Sequence, residues 1–114
     1  MYSGSCHCGR IAFEVDGEFS EVNECNCSHC SRKGYLLWFV PRTSLRVKAG
    51  KGETSIYKFN KHVIDHHFCP TCGCAPFATG KAPNGAETAA INVRCLEGVD
   101  LTNIKRNLID GRSR

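Results

Sequence analysis

Seven of the chain's nine cysteines fall into three short clusters: Cys6-His7-Cys8, Cys25-Asn26-Cys27-Ser28-His29-Cys30 and Cys69-Pro70-Thr71-Cys72. Spacings this short suit a metal ion. Two thiolates a few residues apart can reach one Zn²⁺ at about 2.3 Å without bending the chain far. Seven ligands fall one short of the eight that two closed tetrahedral sites need. An open coordination position is what separates a catalytic zinc from a structural one.

Cys69-Pro70-Thr71-Cys72-Gly73 reads as a zinc knuckle. Pro70 fixes the turn, and Gly73 permits the positive φ that lets backbone N–H groups approach the sulfurs. Cys6 and Cys8 are expected to share one side of an extended segment, where residues i and i+2 point the same way. Together these pairs make a four-cysteine site that ties the N-terminus to a distant segment. Such a metal crosslink stabilises a fold, and its removal unfolds or loosens it. The middle cluster offers Cys25, Cys27 and Cys30. Three thiolates would leave one position open, where an incoming thiol loses its proton or a carbonyl is polarised. The opposing reading is a closed structural site, its fourth ligand supplied by Cys74, a His or Cys95. Spacing alone leaves both open.

The other candidates have plainer readings beside them. Cys74 is a fourth ligand, a redox partner or a bystander. Cys95 falls on an apolar strand face, where a buried Cys acts as a small hydrophobe. Arg94 can clamp a carboxylate bidentately or simply be exposed. By alternation His67 shares a face with Cys69 and could support the metal site. His66 reads as a core or edge histidine. His7 and His29, lying between ligands, should point away from the metal. Trp38 and Phe39 are most simply core residues.

The elements that must position these groups are mostly strands. Ile11, Phe13 and Val15 alternate with Ala12, Glu14 and Asp16, the period-2 pattern of a half-buried strand. Asp16-Gly17 marks a turn. Further strands are expected at Tyr35–Val40 (ended by Pro41), Arg46–Ala49, Ser55–Phe59, His62–Phe68, Pro76–Ala78 and Thr88–Leu96, with a Gly50-Lys51-Gly52 turn. Only Leu101–Arg106 looks helical, with Asp100 as its cap. Many short strands with Gly turns predict an all-β fold in a single domain over 1–114, the kind of small core that a metal staples.

The 114 residues are 41% hydrophobic and 23% charged, ordinary for a globular protein. No stretch approaches the roughly 20 apolar residues of a membrane span, and Met1-Tyr2-Ser3-Gly4-Ser5 lacks signal-peptide character. A cytoplasmic location is expected. In a reducing compartment clustered Cys binds metal rather than forming disulfides. Charge is segregated: Ile11–Ser31 carries five acids and no Lys or Arg, whereas Arg32–Ile64 carries eight bases and one acid. That basic run suits an anionic ligand or is a solvated strand face.

In order and spacing, Gly4-Ser5-Cys6-His7-Cys8-Gly9, Cys25-Asn26-Cys27-Ser28-His29-Cys30 and Phe68-Cys69-Pro70-Thr71-Cys72-Gly73 resemble the glutathione-dependent formaldehyde-activating enzyme family, also called the CENP-V/GFA domain. The likeness extends to Leu36-Leu37-Trp38-Phe39-Val40-Pro41, Asn92-Val93-Arg94-Cys95-Leu96 and Asp110-Gly111-Arg112-Ser113. It implies an Mss4-like all-β fold of small antiparallel sheets around zinc; with Leu101–Arg106, the expectation is at most one short helix near the C-terminus. It implies two zinc ions: a structural one on Cys6, Cys8, Cys69 and Cys72, and a catalytic one on Cys25, Cys27 and Cys30. The implied activity is that of a carbon–sulfur lyase joining glutathione to formaldehyde, with Arg32, Lys33 or Arg94 forming a basic rim. Two rivals stand beside it: a non-catalytic glutathione- or thiol-binding module, and a zinc-stabilised interaction domain. Membrane association is not expected, and the aromatics of the basic run read as core rather than as a nucleic-acid stacking surface.

Overall fold

The computed structural model describes residues 1–49, 54–59 and 63–113. In chain order the strands are β1 (Tyr2–Ser5), β2 (Ala12–Val15), β3 (Glu21–Cys25), β4 (Leu37–Pro41), β5 (Leu45–Ala49), β6 (Ser55–Tyr57), β7 (Ile64–Phe68), β8 (Phe77–Lys81), β9 (Glu87–Asn92) and β10 (Lys105–Ile109). One α-helix, α1 (Ser28–Lys33), follows β3, and short 3-10 turns complete the described residues. The all-β expectation holds. The expected Gly50-Lys51-Gly52 turn and the start of the strand at His62 lie outside the described residues.

The strands form two sheets. A small one has the order β1-β2-β5, and a seven-stranded one runs β10-β3-β4-β9-β8-β7-β6. Alternation works as expected in β2, where Phe13 and Val15 turn inward and are fully buried. They share a core with Phe77 and Ile91 of the larger sheet and with Leu36 and Val93 beside its strands, and Phe13 packs edge-on against Phe77 with ring centroids 5.6 Å apart. Burying aromatic and branched side chains of this size stabilises a fold by roughly 1.5–3 kcal/mol each. Trp38 joins the core margin by packing on Tyr2 and Phe19. Phe39, the next residue on the opposite side of β4, is instead 47% exposed. A strand covered on one face must send alternate residues outward, however apolar they are.

The helix lies elsewhere than expected. Leu101–Arg106 does not form one. Asp100 Oδ1 accepts the Thr102 N–H at 2.9 Å, as a cap would, but the chain only turns. Lys105 then enters β10, which pairs parallel with β3. The backbone groups along β3 reward an extended partner, and this tertiary pairing overrides local helix propensity. The true helix is α1, and its boundary signals were present. Gly34 adopts φ 71° just past its end, and Arg32 and Lys33 fill the last turn.

The segregated charge is largely folded against itself. Because β2 pairs with β5, Arg46 reaches Asp16 at 2.6 Å and Glu14 at 3.7 Å. Lys48 reaches Glu14 at 3.5 Å, and Lys58 pairs with Asp65 at 3.0 Å. This much of the basic run is the solvated strand face.

Candidate metal centres

The first and third Cys clusters converge as their spacing required. Cys6 and Cys8 sit in the β1–β2 connection, and Cys69 and Cys72 in the turn after β7. Their four sulfurs lie within 4.8 Å of one another. Cys6 and Cys8 sulfurs are 3.7 Å apart, and Cys8 and Cys69 sulfurs 3.6 Å. A disulfide would need about 2.05 Å. Sulfurs at the corners of a tetrahedron with bonds of about 2.3 Å lie about 3.8 Å apart. The cluster therefore fits a metal ion and not a disulfide pair.

Cys6 and Cys8 do not come together through an extended segment. The Gly9 N–H donates to the Cys6 carbonyl at 3.2 Å, closing a turn that swings both thiols to one side. The other half is the expected knuckle. Gly73, at φ 80°, donates its N–H to the Cys69 carbonyl at 2.8 Å. Backbone N–H groups crowd the sulfurs: Ile11 N–H points to Cys6 at 3.4 Å, and Thr71 and Cys72 N–H to Cys69 at 3.4 and 3.5 Å. The N–H groups of Cys74 and Cys8 pull the Cys72 thiol down to about 5, which favours the thiolate a metal requires.

Cys25, Cys27 and Cys30 form the second group, again with sulfurs within 4.8 Å. Cys25 ends β3, Cys27 is the N-cap of α1, and Cys30 lies buried in its first turn. The Cys27 sulfur takes the capping role usually played by a Ser or Asp oxygen, accepting the Cys30 N–H at 3.2 Å. Burial opposes ionisation of Cys27, but the Cys30 N–H and its neighbours bring its thiol below the ordinary value. Burial, reinforced by the Cys27 charge, pushes the Cys30 thiol far up. Three such sulfurs can hold a soft cation, which offsets the burial of their charge.

Among the described residues no fourth ligating side chain joins this group. Cys74 and Cys95 lie toward the four-cysteine cluster instead. Burial, then the Cys74 and Cys6 charges, lift the Cys95 thiol to about 11. Cys95 belongs to a 3-10 turn rather than to a strand. His67 does not support a metal either: its Nδ1 meets Thr54 Oγ1 at 2.9 Å and its Nε2 meets Thr79 Oγ1 at 3.0 Å. Arg94 Nε donates to the Gly34 carbonyl at 3.0 Å, tying down the end of α1.

Beside Cys30 lies a hollow of about 440 Å³ walled by His29, Tyr35, Tyr57, His66 and Phe68, with Arg32 and Lys33 also lining it. Tyr35 packs in one cluster with Cys30, and burial with the Cys30 charge raises its hydroxyl to about 12. Lys33 Nζ sits 5.7 Å above the Phe68 ring. The His29 and His66 rings meet at a tilt of 53° with centroids 4.4 Å apart, and the Nδ1 of each is buried without a partner. Burial, then the neighbouring His29 charge, lowers His66 to about 4, so it stays neutral at physiological pH. His29 does turn away from the sulfurs, into this aromatic group. The meeting of His29 with His66 joins α1 to β7 and left no local signal in the sequence. A second hollow of about 480 Å³, lined by Arg42, Lys58, Asp65, Lys81 and Glu87 among others, contains neither cysteine group.

This architecture is an all-β fold that brings two cysteine groups into arrangements able to hold metal ions. Over residues 1–107 the chain matches the family described as glutathione-dependent formaldehyde-activating enzyme, and it belongs to that family. It is similar to a Halomonas elongata protein named "Putative glutathione-dependent formaldehyde-activating enzyme", with 31% identity over 84 residues. That match covers 66% of this chain and 54% of the relative, so the chain spans about half the length of the curated relative it matches. The crystal structure of a Rhodobacter sphaeroides protein is also similar, with TM-score 0.79 and 31% identity, covering 92% of this chain and 99% of that one. No helix among the described residues is long and apolar enough to cross a membrane.

Proposed function

We propose that the chain is a single zinc-binding domain, cytoplasmic, that joins a thiol, glutathione first, to a small aldehyde such as formaldehyde. Cys6, Cys8, Cys69 and Cys72 hold a structural zinc; Cys25, Cys27 and Cys30 hold a second one and form the catalytic centre. The observation that carries this reading is the three-sulfur group lacking a fourth side-chain ligand among the described residues, next to a hollow with two cationic side chains. When bound, zinc at three thiolates supplies a position at which an added thiol is held deprotonated.

The chain's own residues do the rest. Cys25, Cys27 and Cys30 fix the place of reaction, and Tyr35 and Phe68 wall it on the side of the hollow. Arg32 and Lys33 give that hollow the positive potential that suits the carboxylates of an anionic tripeptide. His29 and His66, kept neutral, add polarity without adding charge. In the overall reaction the thiol S–H bond breaks, sulfur bonds to the carbonyl carbon, and the carbonyl oxygen takes up a proton. That is a carbon–sulfur bond-forming step, run in reverse as a lyase.

Exchange spectroscopy on a mixture of glutathione and formaldehyde tests the reading. Zinc-loaded protein is expected to raise the exchange rate, and Cys27→Ser to abolish the increase. An unchanged rate with the wild-type protein contradicts it. Saturable glutathione binding without faster exchange would make the chain a thiol-binding module instead.

A further inference from the structure

The four-cysteine group is held by its own local turns. The three-cysteine group is not: Asn26, between Cys25 and Cys27, is fastened from the other end of the chain. β10 runs parallel to β3 with Ile109 opposite Cys25. The Asn26 backbone N–H donates to the Ile109 carbonyl at 3.0 Å. Asn26 Nδ2 donates to Asp110 Oδ1 at 3.1 Å, and Asn26 Oδ1 accepts the Arg112 N–H at 2.8 Å. Ser113 Oγ donates to Asp110 Oδ2 at 2.7 Å, fixing that carboxylate. Between these anchors the chain passes directly over the sulfurs. A Cβ on Gly111 would lie 2.5 Å from Cys25 Sγ and 3.1 Å from Cys27 Cβ. The first distance is far inside van der Waals contact, so any side chain at 111 would force the Cys25 sulfur or the segment to move.

We propose that Asp110-Gly111-Arg112, gripped by Asn26, is a clasp that positions the Cys25, Cys27 and Cys30 thiolates for their metal. Gly111 and Asn26 are positioning residues, not ligands. The chelating loop would otherwise depend on two N–H···S contacts and on six residues of helix. The clasp adds three hydrogen bonds across more than eighty residues of sequence. Partners that orient ligands in this way typically change metal affinity about 10–100-fold when lost. The coupling is reciprocal: loading the second site should also tighten the tail.

The inference rests on metal binding at both cysteine groups and is tested by metal affinity rather than by turnover. The metal-free full chain is titrated with Co²⁺ while thiolate-to-cobalt absorption is followed. Wild type is expected to take up two equivalents. In Gly111→Ala and in Asn26→Ala the affinity for one equivalent should fall at least ~10-fold while the other is unchanged. The double variant Asn26→Asp with Asp110→Asn, which restores a donor opposite each acceptor, should recover part of the loss. If Gly111→Ala fails to fold, Asn26→Ala decides alone. Two equivalents bound by Asn26→Ala with wild-type affinity overturn the clasp and leave the metal reading standing. A wild-type chain that takes up only one equivalent overturns the two-metal reading, and the clasp with it.

Discussion

The two cysteine groups use the same donor atom and nearly the same spacing, yet their surroundings differ. In the four-cysteine group Cys6 and Cys69 are 2% and 0% exposed, and two tight turns aim N–H groups at the sulfurs. The three-cysteine group sits where β3, α1 and the tail after β10 meet, beside a hollow lined by Arg32 and Lys33. Its shape depends on contacts remote in sequence. A group that joins two distant segments, each half shaped by its own turn, suits a staple, whereas three sulfurs on one short segment beside a hollow suit exchange of a ligand.

The sharpest way to break this contrast is to remove one sulfur from each group. Zinc bound by structural sites in small peptides is worth about 10–16 kcal/mol, comparable to or larger than the roughly 5–15 kcal/mol stability of a whole domain. Cys69→Ser should therefore abolish the cooperative unfolding transition seen by calorimetry. Cys27→Ser should keep that transition, because serine can still cap α1, and lose one metal equivalent. If both variants unfold alike, the division into staple and working site fails.

A smaller effect sharpens the account of the hollow. His66 is 8% exposed, and burial holds its folded-state value at about 4 against an ordinary 6.5. The unfolded chain therefore binds the extra proton first. Stability should be highest above pH 6.5 and fall as pH drops from 6.5 toward 4, then level off for this group. His66→Phe keeps the ring and removes the titration, so its stability should fall less across that window in denaturant unfolding. Identical pH profiles for wild type and variant would show that His66 is not held neutral by its surroundings.

Much of this was legible in the chain because metal chelation imposes short spacings. Cys6, Cys8, Cys69 and Cys72, and separately Cys25, Cys27 and Cys30, met as their clusters required. Alternation found β2 because Phe13 and Val15 bury one face only. β10 does not read as a strand because its burial pattern carries no apolar side: Leu108 is 81% exposed, and the strand is held by backbone pairing to β3. The start of α1 is hidden in the sequence because a cysteine sulfur replaces the usual capping oxygen. The Gly111 crossing and the His29–His66 contact are products of tertiary assembly, and no local pattern encodes either. Alternation did place His67 and Cys69 on one side of a strand, but two threonines, Thr54 and Thr79, take both ring nitrogens.

On the function proposed above, one group is a closed staple and the other an open, exchangeable site. Metal content of the purified chain, measured before and after incubation with glutathione and a chelator, tests it most directly. The account predicts two zinc ions per chain, one of them released or exchanged when glutathione is present and the other retained. Two zinc ions that both stay inert to glutathione would contradict it and make the chain a purely structural zinc protein.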